Sequence, residues 1–244
     1  MSRFFVDETA IQGEKINITD RDDMKHISKV LRMNKGDFLD ISDSKKYEYR
    51  AEIQQIAMEG ILCHIHSKQL FAREPKIQIT LFQGIPKQGK METIIQKTVE
   101  LGVGQITPVF TSRCVVADKG NFDKKIERWQ KISDEAVKQC KRGMKPKVNS
   151  PLQFYELAET LQNFQLILFP YENEEEITIK HILRKMKGVE NVAIIIGPEG
   201  GFTEEEVESI KNIGGRCVTL GKTILRTETA GMAALAMTMY ELEL

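Results

Sequence analysis

Two patterns of apolar and polar positions divide the chain at about residue 72. Up to that point, short alternating stretches such as "YEYRAEI" (residues 47–53) predict half-buried strands, and a helical stretch, "DMKHISKVLRM" (residues 23–33), interrupts them. The "NKGD" turn at residues 34–37 leads into the next strand. Residues 1–72 are therefore predicted to form a small antiparallel β-barrel domain.

From residue 73 onward, continuous apolar runs replace the alternation. These runs predict five strands, "IQITLFQGI", "QITPVFT", "FQLILFP", "VAIIIG" and "RCVTLG". The stretches between and after these strands predict helices at residues 90–101, 123–142, 203–213 and 227–242, the last of which is apolar. Strands that are apolar on both faces and are separated by helices indicate a parallel sheet covered on both sides. Residues 73–244 are therefore predicted to be a second domain of the α/β class.

A glycine-rich stretch, "IIIGPEGGFTEEEV" (residues 194–207), follows one of these strands. Thr203 and the glutamate three positions later, Glu206, form the capping-box pattern that begins a helix. Three glycines consequently lie at the carboxyl edge of a parallel strand, namely Gly197, Gly200 and Gly201. Open α/β sheets bind ligands at this edge, and glycine permits close approach of a ligand to the backbone. A tight strand-to-helix turn is the alternative, which explains one glycine better than three.

The charge distribution is uneven although the formal net charge is zero. Residues 76–150 carry fifteen basic and seven acidic side chains, whereas residues 151–244 carry eight and fifteen. A basic block of this kind fits a polyanionic partner, with ordinary solvated helix faces as the alternative. The four cysteines are far apart and form no metal-ligand pattern, so free thiols, no metal and a cytoplasmic location are expected. No apolar run is long enough to span a membrane.

Two other ligand classes fit the glycine-rich segments poorly. "GGRCVTLGKT" (residues 214–223) ends like a phosphate-binding loop, but Arg216 occupies the position where that motif requires glycine. No dinucleotide-binding G-x-G-x-x-G follows the first strand of the α/β region, and no G-x-S-x-G is present. The sequence therefore disfavours a nucleotide triphosphatase, a dinucleotide-dependent enzyme and a serine hydrolase.

Several long motifs together resemble one family. They are "HISKVLR" (26–32), "KTVELGVGQITPVFTSRC" (97–114), "RWQKISDEAVKQCKR" (128–142), "IGPEGGFTEEEV" (196–207) and "LGKTILRTETAGMAALAM" (220–237). In this order they are similar to the bacterial 16S ribosomal RNA uracil-N3 methyltransferases of the SPOUT superfamily. The resemblance implies a PUA-like RNA-binding domain followed by an α/β-knot domain with a deep trefoil knot. It also implies a homodimer, with S-adenosylmethionine bound in the knot and each active site near the interface.

The resemblance places the cofactor among three loops, within residues 168–172, 196–201 and 220–226. Backbone groups there would read the adenosine, and apolar side chains of the third loop would pack on it, with plain core packing as the alternative. The residues assigned to the cofactor are Leu168, Phe169, Pro170, Ile196, Gly197, Pro198, Gly200, Gly201, Leu220, Gly221, Ile224, Leu225 and Arg226.

Four residues are candidates for the chemistry. Uracil N3 is mostly protonated at neutral pH, so its proton has to be removed or the resulting charge stabilised. Arg226 is the candidate for charge stabilisation. Glu199 and Glu228 are candidate proton acceptors, and capping of helix N-termini is the alternative for both. Arg113 could reach the RNA phosphate or the partner's active site, or form a surface salt bridge.

Basic residues of both segments are expected to contact RNA phosphates, and they are Arg3, Lys29, Arg32, Lys138, Lys141, Arg142, Lys145 and Lys147. The implied substrate is 16S rRNA within the 30S subunit, with an unpaired or extruded uridine as the target because pairing hides N3. An RNA-binding protein with an inactive cofactor knot remains the alternative.

Overall fold

The protein is described by a computed structural model that covers residues 3–116 and 122–244. Close contacts divide the chain into two compact units. The first comprises the described residues up to Glu74 together with Val137–Lys145, and the second comprises Pro75–Ala136 and Pro146–Leu244.

The first unit contains a six-stranded sheet and one short α-helix. Its elements are β1 (Arg3–Phe5), β2 (Ile11–Gln12), β3 (Lys15–Ile18), α1 (Arg21–Lys25), β4 (Phe38–Ser42), β5 (Tyr47–Ile56) and β6 (Ile61–Leu70), with a 3₁₀ turn at Glu8–Ala10. The strand order is β1-β4-β5-β6-β3-β2. The prediction of wholly antiparallel pairing is wrong for one pair, because β1 runs parallel to β4. These two strands are joined by a long connection through β2, β3 and α1 rather than by a tight turn.

The core of this unit follows from the alternation in its strands. In β3, Ile16 and Ile18 are buried while the residues between and before them are exposed. In β5, Ala51 and Ile53 face the same core, and Cys63 of β6 lies among them. The sequence pattern therefore predicted which face of each strand is buried.

The helix predicted at residues 23–33 begins at Arg21 and changes from an α-helix to a π-helix along its length. Asp20 is its N-cap, accepting a hydrogen bond from the amide of Asp23. After Lys25 the α-helix continues as one π-helical turn, His26–Val30. Arg32 then adopts a left-handed backbone conformation with φ 53°, which ends the helical path.

The second unit contains a seven-stranded sheet with helices. Its elements are β7 (Gln78–Gly84), α2 (Lys90–Glu100), β8 (Gln105–Phe110), α3 (Asp123–Cys140, whose last four residues belong to the first unit), β9 (Lys147–Val148), β10 (Leu152–Gln153), a 3₁₀ turn (Phe154–Glu156), α4 (Leu157–Leu161), β11 (Leu166–Pro170), α5 (Ile179–Leu183), β12 (Asn191–Ile196), α6 (Glu204–Asn212), β13 (Arg216–Val218) and α7 (Thr227–Leu242).

Every strand pair of this sheet is parallel, as the apolar runs predicted. The order is β10-β8-β7-β12-β11-β13, with β9 beside β8. One face packs on α4 and α6, in a cluster that includes Phe82, Ile195 and Val207. The opposite face packs on α7, where Gly231 lies against Leu81 and Ile196. Both faces are therefore covered, which explains why the strands are apolar throughout.

The long helices begin and end close to their predicted limits. For α6, Thr203 and Glu206 form the predicted capping box, and Gly214 adopts a positive φ directly after the helix. The short elements β9, β10, α4 and α5 were not predicted. In the part of the chain that is described, no helix has the length and apolar character to cross a membrane.

Candidate active site

Three loops meet at one edge of the second sheet. Strands β12, β11 and β13 are neighbours and run parallel, so the loops that follow them leave from the same edge. The loop after β12 contains Gly197–Gly201, the loop after β11 contains Tyr171 and Glu172, and the segment after β13 runs from Thr219 to Arg226. The structure therefore brings together the three segments that the sequence predicted for the cofactor.

Glycines allow these loops to pack closely on one another. Gly201 has φ 65°, and a Cβ atom there would lie 2.5 Å from Oε1 of Glu172 in the β11 loop. At Gly200, an added Cβ would lie 3.0 Å from the Cβ of Arg113. A side chain at Gly201 would be strained by the positive φ, and one at Gly200 would crowd the Cβ atom and the carbonyl oxygen of Arg113. These glycines thus have a packing role that does not depend on any ligand.

Arg113 lies against the glycine loop, as its proposed place near the active site requires. Its Nη1 donates a hydrogen bond to the carbonyl oxygen of Gly200 at 3.1 Å. The neighbouring amide of Ser112 donates to Oε1 of Glu206 at 2.8 Å, while Oε2 of Glu206 accepts from the amide of Thr203. The buried capping glutamate therefore also fixes the segment that carries Arg113.

Glu199 and Glu228 lie on either side of one lysine. Lys90 Nζ is 2.9 Å from Oε1 of Glu199 and 3.3 Å from Oε2 of Glu228. The amide of Lys87 also donates to Glu199. Partial burial would by itself raise the pKa of Glu199, but the bonds from Lys90 and the Lys87 amide outweigh it and hold that pKa below its usual value. Glu199 is consequently a weak base whose oxygens already have donors.

The same arrangement stabilises the charged form of Lys90. Its pKa is raised, mainly by the hydrogen bond to Glu199. Lys90 begins α2, Glu199 lies in the β12 loop and Glu228 lies in the first turn of α7. One cation therefore connects three elements of the site, each far from the others in sequence.

The start of α7 is joined to the glycine loop by a buried hydroxyl. Thr227 Oγ1 donates to the carbonyl oxygen of Gly197 at 2.5 Å and accepts from Nε2 of the buried Gln83 at 2.8 Å. Arg226 is the N-cap residue of α7, and its side chain is exposed at this same end. The structure therefore places Arg226, Glu228 and the glycine loop around one helix N-terminus.

The apolar residues assigned to the cofactor fall into two groups. The side chains of Leu168, Phe169 and Ile196 are buried in the core, so only their backbone groups are able to meet a ligand. Pro170 is half-buried, and Pro198 is buried against Gly84. The third segment differs, because Ile224 is 83% exposed and its neighbours Leu220 and Leu225 are half-buried.

The predicted RNA-contacting cations differ in their surroundings. Lys29, Arg32, Lys141 and Lys147 are exposed. Lys138 lies 3.5 Å from Asp23, and Lys145 Nζ lies 4.8 Å from the ring of Phe5. Arg3 is largely buried in an ion pair with Glu48 at 2.5 Å.

Arg142 is not at the surface, contrary to the sequence prediction. Its side chain is 5% exposed and donates to Oε2 of Glu74 at 2.8 Å. The Oε1 atom of Glu74 accepts from the amides of Gly143 and Met144. Because a buried, paired guanidinium cannot reach a phosphate, this residue has a structural role, and the prediction of a phosphate contact is corrected.

Sequence reasoning missed Lys90, Gln83 and Thr227. Thr227 and Glu228 lie in the motif "RTETAG", which marks the site, but the partners of Thr227 are brought to it only by the fold. Within residues 3–116 and 122–244, no three histidine, cysteine or acidic side chains lie together as a metal site would require.

Comparison with known proteins agrees with this architecture. A family model described as "RNA methyltransferase domain" matches residues 73–239, and one described as "RNA methyltransferase PUA domain" matches residues 18–65. A Bacillus subtilis protein named ribosomal RNA small subunit methyltransferase E is 34% identical over 252 residues, covering 100% of this chain and 98% of its own.

Solved structures extend this similarity to three dimensions. A ribosomal RNA small subunit methyltransferase E from Neisseria gonorrhoeae, bound to S-adenosyl methionine, superposes with a TM-score of 0.84 at 30% identity, covering 99% of this chain and 98% of its own. A putative methyltransferase from Legionella pneumophila, in complex with the cofactor SAM, gives 0.82 at 30% identity, covering 98% and 96%.

The fold and the site thus define a protein with a PUA-like N-terminal domain and an α/β methyltransferase domain of the SPOUT class, as predicted. The deep trefoil knot stays a prediction. The chain belongs to the RNA methyltransferase family.

Proposed function

We propose that this protein is an S-adenosylmethionine-dependent methyltransferase that modifies N3 of a uridine in 16S rRNA of the small ribosomal subunit. The small-subunit substrate is supported by the names of relatives that cover nearly the whole chain. The observation that carries the proposal within the molecule is the convergence of the glycine loop, Arg226 and Glu228 at one sheet edge.

The third segment fits an adenosine. Ile224 presents open apolar surface, and an added Cβ at Gly221 would meet nothing within 4 Å, so the backbone there is accessible on that side. Adenine requires a flat apolar contact and nearby backbone donors and acceptors. We assign the adenosine to the segment containing Leu220, Ile224 and Leu225, and to the backbone of Gly197–Gly201.

The chain's own residues then have to handle one proton and one developing charge. When bound, S-adenosylmethionine supplies a methyl group that its sulfonium already activates. Loss of the N3 proton places negative charge on the uracil oxygens, and the exposed guanidinium of Arg226 is positioned to stabilise it. Holding N3 in line with the methyl group supplies much of the remaining rate enhancement.

We assign proton acceptance to Glu228 rather than to Glu199. Both carboxylates contact Lys90, but Glu199 also accepts from a backbone amide and its pKa is lowered. A general base needs an available lone pair, and both oxygens of Glu199 already accept hydrogen bonds. Glu199 fits better as the residue that anchors the glycine loop to α2.

RNA contacts are assigned to the exposed cations Lys29, Arg32, Lys138, Lys141 and Lys147, with Lys145 beside Phe5. Arg3 and Arg142 are not assigned to RNA, because both are held in ion pairs within the protein. Arg113, bonded to the glycine loop, is assigned to a phosphate of the target nucleotide. We further propose a homodimer in the cytoplasm. The dimer is supported by an exposed apolar stripe that Met237 and Tyr240 form near the end of α7 and that Leu244 extends just beyond the helix.

Transfer of label tests the proposal. The protein is incubated with tritiated S-adenosylmethionine and either 30S subunits or naked 16S rRNA from a strain that lacks the activity. We expect the label to enter the rRNA of at least one of the two substrates. The Arg226→Gln variant should transfer the label much more slowly. If wild-type protein binds RNA but transfers no label to either substrate, the alternative of an inactive RNA-binding protein replaces the proposal.

A further inference from the structure

A cleft lies beside the candidate active site, and none of the residues assigned to cofactor binding or catalysis lines it. It has a volume of about 440 Å³ and lies between the loop that follows β7 and the first half of α3. This volume is within the range of small-ligand pockets. All of its lining residues lie between Ile85 and Trp129 and belong to the second unit.

The floor of the cleft is apolar and its rim is cationic. Trp129, Met91 and Ile85 line the floor and are almost completely buried. Lys125 and Arg128 lie on the rim, three residues apart on α3 and therefore on one side of the helix. The charge of Glu92, the acidic group of the cleft, is compensated by Arg128 at 2.7 Å.

The loop that forms one wall of the cleft also supports the candidate active site. Pro86, Gln88 and Gly89 line the cleft, while the amide of Lys87 and the side chain of Lys90 hold Glu199 of the glycine loop. A ligand in the cleft would consequently contact the same loop that holds the predicted cofactor segment through Glu199.

We propose that this cleft binds one unpaired nucleotide of the substrate RNA that neighbours the target uridine, an inference that rests on the proposed function. The base lies over the apolar floor and meets the small exposed part of Trp129, and its phosphate contacts Lys125 on the rim, next to the Arg128–Glu92 pair. Aromatic floors with cationic rims are the usual means of holding single-stranded RNA, because every base has a flat face and every nucleotide a charge. Gln88 lines the wall of the cleft, where its side-chain amide could hydrogen-bond to the edge of the base.

The chain offers a direct probe, since Trp129 is its only tryptophan. Tryptophan emission is recorded during titration with a single-stranded uridine-containing RNA of the target region, while anisotropy of a labelled copy reports binding. We expect saturable quenching by this RNA. The same RNA with an abasic ribose next to the target should bind about tenfold more weakly and quench little.

Matched variants separate the cleft from the rest of the basic surface. Lys125→Gln combined with Arg128→Gln should weaken binding and reduce quenching, whereas Lys131→Gln, an exposed change on the same helix, should leave quenching unchanged. If wild-type protein binds and methylates RNA with unchanged emission, the cleft assignment is overturned and the proposed function stands. If RNA is neither bound nor methylated, the proposed function fails, and the cleft assignment with it.

Discussion

At the scale of single residues, the site depends on contacts that sequence patterns do not encode. The glycines, Arg113, Glu199 and Glu228 were recognisable because each belongs to a continuous motif. Lys90 was not, because it meets Glu199 across 109 residues of sequence, and a lysine that begins a helix usually signals only a solvated turn. The burial of Arg142 was also unpredictable, since its partner Glu74 lies 68 residues away.

The first residue-scale prediction concerns Lys90. Lys90→Gln should weaken S-adenosylmethionine binding about fivefold, because the glycine loop and the first turn of α7 lose their common cation. Lys90→Arg should retain most of the affinity, since the charge remains. Calorimetric titration measures both. Lys97→Gln is the control, because it removes a cation from the same helix that, among the described residues, pairs with Glu100 alone; an equal loss there would contradict the assignment.

The second residue-scale prediction separates the two carboxylates. Glu228→Gln should lower kcat by about 100-fold or more, as loss of a general base does. Glu199→Gln should lower kcat less than tenfold, since its carboxylate is held by Lys90 and Lys87. Single-turnover rates with saturating cofactor measure both effects as a function of pH. A larger loss in the Glu199 variant would reverse our assignment.

At the scale of elements, the pattern of apolar positions, together with helix start and stop signals, was sufficient to predict the long helices and the main parallel strands. Helices α2 and α6 have clear apolar periods, and α6 also has a start signal, whereas α7 is apolar on most sides and was predicted from its apolar run; the limits of all three agree with prediction. The two-residue strands β9 and β10 and the five-residue helices α4 and α5 are too short to show a period, because fewer than two helical turns or strand repeats are present. The parallel pairing of β1 with β4 depends on tertiary packing alone.

The element-scale prediction concerns Glu206, which caps α6 and binds the Ser112 amide. Glu206→Ala should lower the free energy of unfolding by about 2 kcal/mol, because α6 loses its cap and the Ser112 amide loses its hydrogen bond to a charged acceptor. Chemical denaturation measures the loss. Glu205→Ala is the control, because that side chain is exposed on the same helix turn, and its effect should be within about 0.5 kcal/mol.

At the scale of the whole molecule, the neutral total charge conceals a basic segment, residues 76–150, that is suited to RNA. The charge count predicted a polyanionic partner, but it did not distinguish cations that are free to meet phosphates from those held in ion pairs. Only the fold separates the exposed Lys141 from the buried Arg142 next to it.

This distinction leads to a prediction on RNA affinity. Lys141→Gln should weaken binding at low salt and reduce the slope of log affinity against log salt by about 1, because one phosphate contact is lost. Lys185→Gln should leave the slope unchanged, since that residue lies in the acidic segment, residues 151–244. Filter binding over a range of salt concentrations measures the slopes, and equal slopes would contradict the assignment.

A second whole-molecule prediction concerns assembly. Tyr240→Glu should shift the protein from dimer to monomer in sedimentation experiments, because it places a charge in the apolar stripe of α7. Tyr155→Glu, at another exposed tyrosine, is the control. A wild-type monomer, or an unaffected dimer in the Tyr240 variant, would contradict the proposed interface.

The central claim, methylation of uridine at N3, is tested most directly by identifying the modified nucleoside. 16S rRNA treated with the protein and S-adenosylmethionine is digested to nucleosides, which are separated and identified by mass spectrometry against authentic standards. If N3 is the methylated atom, the product is 3-methyluridine. Methyl groups found only at uridine C5, at a ribose 2′-oxygen or on another base would contradict the claim.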